Sequence, residues 1–212
     1  MYLSRIEMDI LNRVKMKDLN HVAAYHSWVE SCFPEEIKRG IRTRKLWRID
    51  QLKDRRYLLI VSETPPRTEG LLQYGVADTA AICDYDPFLS RLEAGLSYRF
   101  RVVLNPVVSI MDRPGMKRGR VVPHVTAEQQ SQFLLDRSLK NGFSLDADQF
   151  SIVGRQYLPL KRAKERPVRL SYVAYEGRLT VTDKEQFRRT LTCGFGKKKA
   201  YGLGMMTVIP LT

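Results

Sequence analysis

The strongest constraint in this chain is the order in which local patterns follow one another, because the same order occurs twice. The first ten residues are rich in strand formers. Val22, Tyr25, Val29 and Phe33 then recur at helical spacing and Pro34 ends the pattern, which predicts a helix over residues 19–33 capped by Asp18 or Asn20. Residues 46–50 and 57–62 read as strands around the polar turn Lys53-Asp54-Arg55, and Pro65-Pro66 closes the second. Residues 64–96 are weakly patterned. Beyond them, residues 96–104 read as a strand ending at Asn105-Pro106. Thr126-Ala127-Glu128-Gln129 is a capping box ahead of Phe133, Leu134 and Leu139, and Asn141-Gly142 supplies a helix stop. Strand-like runs at 150–153, 170–175 and 178–181, a short helix at 184–191 and a last apolar strand at 205–210 complete the chain. Two passes of strand, helix, strand, strand, helix, strand predict an α+β protein of two tandem ferredoxin-like (β-α-β-β-α-β) domains, residues 1–90 and 91–212.

A chain of 212 residues is long enough for two such units, and its 43% apolar content supports packed cores and argues against disorder. The 36 Lys and Arg against 23 Asp and Glu leave a formal charge of +13, which points to a polyanion, nucleic acid first. Cys32, Cys83 and Cys193 are too few and too far apart for a disulfide framework or a zinc knuckle, and are expected to be ordinary buried thiols in a reducing compartment. The start carries Arg5, Glu7 and Asp9 where a signal peptide would be apolar, and no uncharged run long enough for a membrane span occurs. A cytoplasmic location with no membrane partner is expected, and no cofactor is expected either.

Three groups of residues carry chemistry. Gly194-Phe195-Gly196-Lys197-Lys198-Lys199-Ala200-Tyr201-Gly202-Leu203-Gly204 sets glycines around Lys197, Lys198 and Lys199, a combination suited to phosphate. It lacks Walker spacing, and Lys199 stands where a dinucleotide fingerprint needs its third glycine, so a mononucleotide-binding enzyme is disfavoured. A basic turn holds Lys117, Arg118 and Arg120, and a second cluster runs from Arg155 to Arg169, with Lys161, Arg162, Lys164 and Arg166 in it and Pro159 and Pro167 breaking its continuity. Such charge density suits the groove of structured RNA, whereas no aromatic-rich strand offers a stacking platform for single strands. Of three histidines, His21 shares a helix face with Tyr25, and His26 shares the neighbouring one with Glu30, where a carboxylate favours the imidazolium. His124 sits in a loop position before the capping box.

Taken together, several stretches resemble one family: Met1-Tyr2-Leu3-Ser4, residues 26–34, residues 100–106, the basic turn and helix at 115–142, Tyr175-Glu176-Gly177-Arg178-Leu179, and the glycine-rich tail at 194–210. The family is the CRISPR-associated repeat-RNA endoribonuclease of type I-E systems, CasE, a subunit of the Cascade complex. The resemblance implies metal-independent cutting of a CRISPR repeat hairpin by 2′-hydroxyl attack, leaving a 2′,3′-cyclic phosphate and a 5′-hydroxyl, with the mature crRNA retained among other Cascade subunits. It places the family's helical histidine at His26, as base or as acid. Relatives can carry a tyrosine three residues earlier, where this chain has Ala23; Tyr25 is the catalytic candidate in its stead, with His21 or a lysine from elsewhere as alternatives. The resemblance also implies RNA contacts at Arg101 and at Lys161, Arg162, Lys164 and Arg166, and none at Val103, where relatives often have arginine. The glycine-rich tail is expected to pack between the domains. A noncatalytic RNA-hairpin-binding subunit of the same fold is the alternative.

Overall fold

The computed structural model describes residues 1–111, 119–160 and 168–211. The first unit runs β1 (Tyr2–Glu7), α1 (Arg13–Asp18), α2 (Val22–Ser31), α3 (Pro34–Arg39), β2 (Leu46–Leu52), β3 (Arg55–Ser62), α4 (Thr68–Leu72) and β4 (Ala81–Asp84). Its sheet has the order β2-β3-β1-β4 with every neighbour antiparallel. After α5 (Asp86–Ser90), the second unit runs β5 (Ser97–Leu104), a ribbon of β6 (Val107–Ile110) and β7 (Arg120–Pro123), α6 (Ala127–Ser138), β8 (Phe143–Ser144), β9 (Phe150–Leu160), β10 (Val168–Val181), α7 (Lys184–Cys193) and β11 (Met206–Pro210). Its sheet has the order β11-β5-β10-β8, with β9 also paired to β10. In the first unit the first and third strands lie inside and the second and fourth outside; in the second, β5 and β10 lie inside with β11 on one side and β8 and β9 on the other, so the chain is two ferredoxin-like units in tandem.

Local chemistry explains where the elements start and stop. Thr126 and Gln129 form the reciprocal capping box of α6. The helix read over 19–33 is shorter than expected: α2 covers only Val22–Ser31 and begins after His21, whose Nδ1 accepts the Ala24 N–H at 3.0 Å, while a separate α1 capped by Asn12 precedes that stretch. Neither Asp18 nor Asn20 is the cap. Histidine caps helices rarely, so composition pointed to the commoner capping residues nearby. Pro159 lies inside β9 opposite Arg169 and does not break it; among the described strands β9 pairs on one side only, where a missing N–H is tolerated. The two runs at 170–175 and 178–181 are one strand through Glu176-Gly177. A Cβ on Gly177 would stand 2.3 Å from the Gln149 carbonyl, so glycine is what lets the chain pass there. Of the cysteines only Cys32 is buried; Cys83 and Cys193 are exposed, against expectation, Cys83 on the edge strand β4 and Cys193 as the last residue of α7.

The unbroken apolar run Leu58-Leu59-Ile60-Val61 has a physical reason: the first sheet is covered on both faces. Leu58 and Ile60 pack with Ile6, Trp28, Val29 and Leu71 beneath the helices of their own unit. Val61 and Leu46 face the other way and join the core of the second unit, with Phe100, Val102, Phe187, Met205 and Met206. The seam is fixed by Arg48 of β2, whose side chain is 2% exposed. Its guanidinium donates to both Asp50 oxygens at 2.7 and 2.6 Å, to the carbonyls of Arg101 and Met205 at 2.9 Å each, and to Thr207 Oγ1 at 2.7 Å. The glycine-rich tail closes the same seam: Trp47 Nε1 donates to the Ala200 carbonyl at 3.3 Å, the Tyr172 hydroxyl donates to the Tyr201 carbonyl at 2.5 Å, and Gly202 lies against the Trp47 ring. Among the described residues no helix is long and apolar enough to cross a membrane.

Candidate active site

Helix α2 positions the catalytic candidates. Val22, Trp28 and Val29 anchor its inner face, and Trp28 Nε1 donates to the Gly70 carbonyl at 2.9 Å. Tyr25 and His26 leave the helix about 100° apart and therefore reach different spaces. The Tyr25 ring stacks on Trp47, with centroids 6.0 Å apart and planes at 17°, and lines a cleft of about 320 Å³ between the two sheets with Arg56, Arg101, Gln156 and Tyr172. Burial pushes its phenol pKa up, and the nearby Arg56 charge offsets this only in part. His26 lines a separate cleft of about 630 Å³, whose walls include Ala23, Ser27, Glu30, Glu36, Gly40 and Arg42. Ala23, three residues before His26, is thus on the histidine's side of the helix and Tyr25 is not.

The floor of the His26 cleft is a chain of charges. Lys45, with its side chain 1% exposed, reaches Glu36 at 2.8 Å and Glu30 at 3.5 Å, and its ammonium lies 4.8 Å from the centroid of the Phe33 ring. Burial alone would raise the Glu36 pKa. Hydrogen bonds from Lys45, from the Thr43 N–H and hydroxyl, and from the Thr64 hydroxyl more than cancel that and hold it at about 2. Glu30 Oε1 lies 4.0 Å from Nδ1 of His26. Gly40 ends α3 in the left-handed conformation, at φ 64°, and turns the exposed Arg42 toward the same cleft. The placing of Arg42, from the basic segment that follows α3, in the wall of the His26 cleft was missed in the sequence reading. Its signal was present, a run of cations around one glycine, but nothing in the sequence set that run opposite α2.

The remaining predicted residues are scattered. Arg101 pairs with Asp50 at 3.1 Å and with Glu176, so its charge is matched across the seam. Two arginines also govern Asp50: burial raises its pKa, and Arg48 and Arg101 bring it below the ordinary value. Lys199 donates to the Cys193 and Gly194 carbonyls at 3.0 and 2.8 Å, and burial, with the Arg44 charge, lowers its pKa. Lys197 is exposed, Lys198 is half-buried in the left-handed conformation, and Arg120 is exposed at the start of β7. Lys117, Arg118, Lys161, Arg162, Lys164 and Arg166 lie outside the described residues. Among the described residues no group of three or more His, Cys, Asp or Glu is placed to hold a metal ion.

A tandem pair of ferredoxin-like units with a histidine in a cleft walled by arginine defines a class of basic two-unit α+β proteins. Comparison with known proteins narrows it. The sequence model of the family described as CRISPR associated protein matches residues 1–210, and the chain belongs to that family. It is 26% identical over 220 residues to the CRISPR-associated endoribonuclease Cse3 of Thermus thermophilus, covering 99% of this chain and 100% of the relative. The structure of CRISPR endoribonuclease Cse3 bound to a 19 nt RNA matches with a TM-score of 0.79 and 25% identity over 99% of this chain and 98% of that one. A chain of a CRISPR RNA-guided surveillance complex shares the fold, with a TM-score of 0.67 and 21% identity over the full length of both.

Proposed function

We infer that this chain is an endoribonuclease of CRISPR RNA processing, which binds the repeat hairpin, cuts it once per repeat and stays with the mature crRNA in a surveillance complex in the cytoplasm. Its family, its full-length similarity to the Cse3 endoribonuclease and the RNA carried by a matching structure support this reading. One observation carries the chemistry: His26 lines a cleft whose wall holds an exposed arginine, Arg42, whereas His21 spends its Nδ1 on capping α2. Cutting by 2′-hydroxyl attack requires an in-line geometry, movement of two protons and stabilisation of charge on the phosphorane. His26 moves a proton, accepting it from the 2′-hydroxyl as the neutral ring or giving it to the leaving 5′ oxygen as the cation. Arg42 neutralises the scissile phosphate. Tyr25 contacts RNA entering the cleft between the sheets. Arg120, Lys197 and Lys198, with Lys117, Arg118, Lys161, Arg162, Lys164 and Arg166, supply the positive field that holds the phosphates of the stem, whereas the charge of Arg101 is matched by Asp50 and Glu176 and the ammonium of Lys199 is tied to the Cys193 and Gly194 carbonyls.

A second reading, a noncatalytic hairpin-binding subunit, draws on the position of Ala23, which leaves the His26 cleft without a tyrosine. Incubating the wild-type protein with a cognate repeat hairpin in EDTA, followed by analysis of product ends, separates the two. A single cut leaving a 2′,3′-cyclic phosphate supports the endoribonuclease reading. Tight binding without cutting supports the other, and cutting that requires added metal overturns the proposed mechanism.

A further inference from the structure

His26 has one edge in the cleft and one in the protein. Its side chain is 39% exposed, yet Nδ1 is buried and has no hydrogen-bond partner among the described residues. A buried ring nitrogen without a partner is costly, and the polar atom it faces is Glu30 Oε1 at 4.0 Å. Closing that gap by about 1 Å, within reach of a carboxylate rotation, makes a hydrogen bond. Glu30 cannot turn freely toward solvent, because Lys45 holds its other oxygen at 3.5 Å and is itself fixed by Glu36 at 2.8 Å. A carboxylate held from behind can only accept, so Nδ1 must be the nitrogen that carries hydrogen.

We propose that Glu30, anchored by Lys45, is a positioning residue for His26: it receives Nδ1–H and so leaves Nε2 as the nitrogen that exchanges a proton with RNA. The proposal rests on the reaction assigned to His26 above and adds which ring atom acts and what orients it. The arrangement serves either role, since Nδ1–H···Glu30 leaves a lone pair on Nε2 in the neutral ring and a proton there in the cation. The charged groups around the ring are Glu30 on its own helix, Glu36 on α3, Arg42 in the loop after it and Lys45 at the head of β2. The two anions and two cations nearly balance, so removing one member biases the ring in a direction set by its sign.

The test is 15N imidazole NMR of the RNA-free full-length protein through a pH titration, with His26→Ala identifying its signal among the three histidines. The wild-type ring is expected as the Nδ1–H tautomer. Glu30→Gln is expected to move its titration midpoint down by about half to one pH unit, and Lys45→Met to move it up, because Glu30 then loses its counter-charge. If Lys45→Met does not fold, Glu30→Gln decides alone. In single-turnover cleavage Glu30→Gln should slow the chemical step about tenfold with hairpin affinity unchanged, and should carry the His26-dependent limb of the pH–rate profile to lower pH. An Nε2–H tautomer, an unmoved midpoint in Glu30→Gln, or a rate that falls only in step with affinity overturns the proposal. Cleavage that survives His26→Ala instead overturns the reaction assigned to that residue, and with it the catalytic sense of this proposal, whatever the spectra show.

Discussion

Replacing Arg48 by methionine tests how the two units are joined. The substitution keeps an aliphatic stem in the seam and removes five hydrogen bonds, two to Asp50, two to carbonyls of the second unit and one to Thr207. Removing one partner of a buried ion pair costs about 3–5 kcal/mol. Asp50 keeps Arg101 at 3.1 Å, so the lower end, about 3 kcal/mol, is expected. The loss should also uncouple the units. Trp28 and Trp47 both belong to the first unit, so tryptophan fluorescence reports that unit while far-UV circular dichroism reports both. In urea the two signals should coincide for the wild type and separate for Arg48→Met. The effect has a pH signature. Asp50 has its folded pKa lowered by Arg48 and Arg101, so its stabilisation is present above the unfolded carboxylate value, near 3.9, and is lost as pH falls. The difference between wild type and variant should therefore shrink below about pH 4. A loss under about 1 kcal/mol with coincident transitions would refute the idea that this arginine fastens the seam.

Glu36, held at about 2, contributes about 2 kcal/mol once solvent screening is allowed for; this is present above the unfolded value near 4.3 and drains away as pH falls toward 2. Glu36→Gln should thus be less stable than the wild type at pH 6 and no different near pH 2 by urea titration. Gly202→Ala puts a Cβ 2.7 Å from the Trp47 ring at a φ of 75°, and should cost about 1–3 kcal/mol and shift tryptophan emission; an unperturbed spectrum would place the tail elsewhere. Tyr25→Phe removes a hydroxyl that lies outside the His26 cleft, so cleavage should stay within about threefold of wild type, whereas a loss beyond about 100-fold would mean that the phenol reaches the reacting atoms.

The duplicated order of strands and helices was legible because it is written in period. Val22, Tyr25, Val29 and Phe33 mark a helix, and Thr126 to Gln129 states a cap outright. What stayed illegible depends on contacts distant in sequence. Arg48 reads as a surface residue in any hydrophobic pattern, and only its partners, at positions 101, 205 and 207, explain its burial. Residues 64–96 hold α4, β4 and α5, elements of only four or five residues, too short for periodicity to register. In the site, the His26 and Glu30 spacing was visible on one helix turn. The buried Lys45 behind Glu30 and the Arg42 wall were not, because a lysine inside a basic run looks solvated until the fold encloses it. Lys199 shows the converse: its loop looked built for phosphate, yet its ammonium is tied to the carbonyls of its own turn.

The central claim is that His26 performs proton transfer in RNA cutting. Single-turnover cleavage of the cognate repeat hairpin by His26→Ala, measured beside the hairpin dissociation constant, tests it most directly. The rate should fall about 10²–10⁴-fold while the dissociation constant stays within about twofold of wild type. Cleavage at the wild-type rate, or a loss of binding equal to the loss of rate, would contradict it.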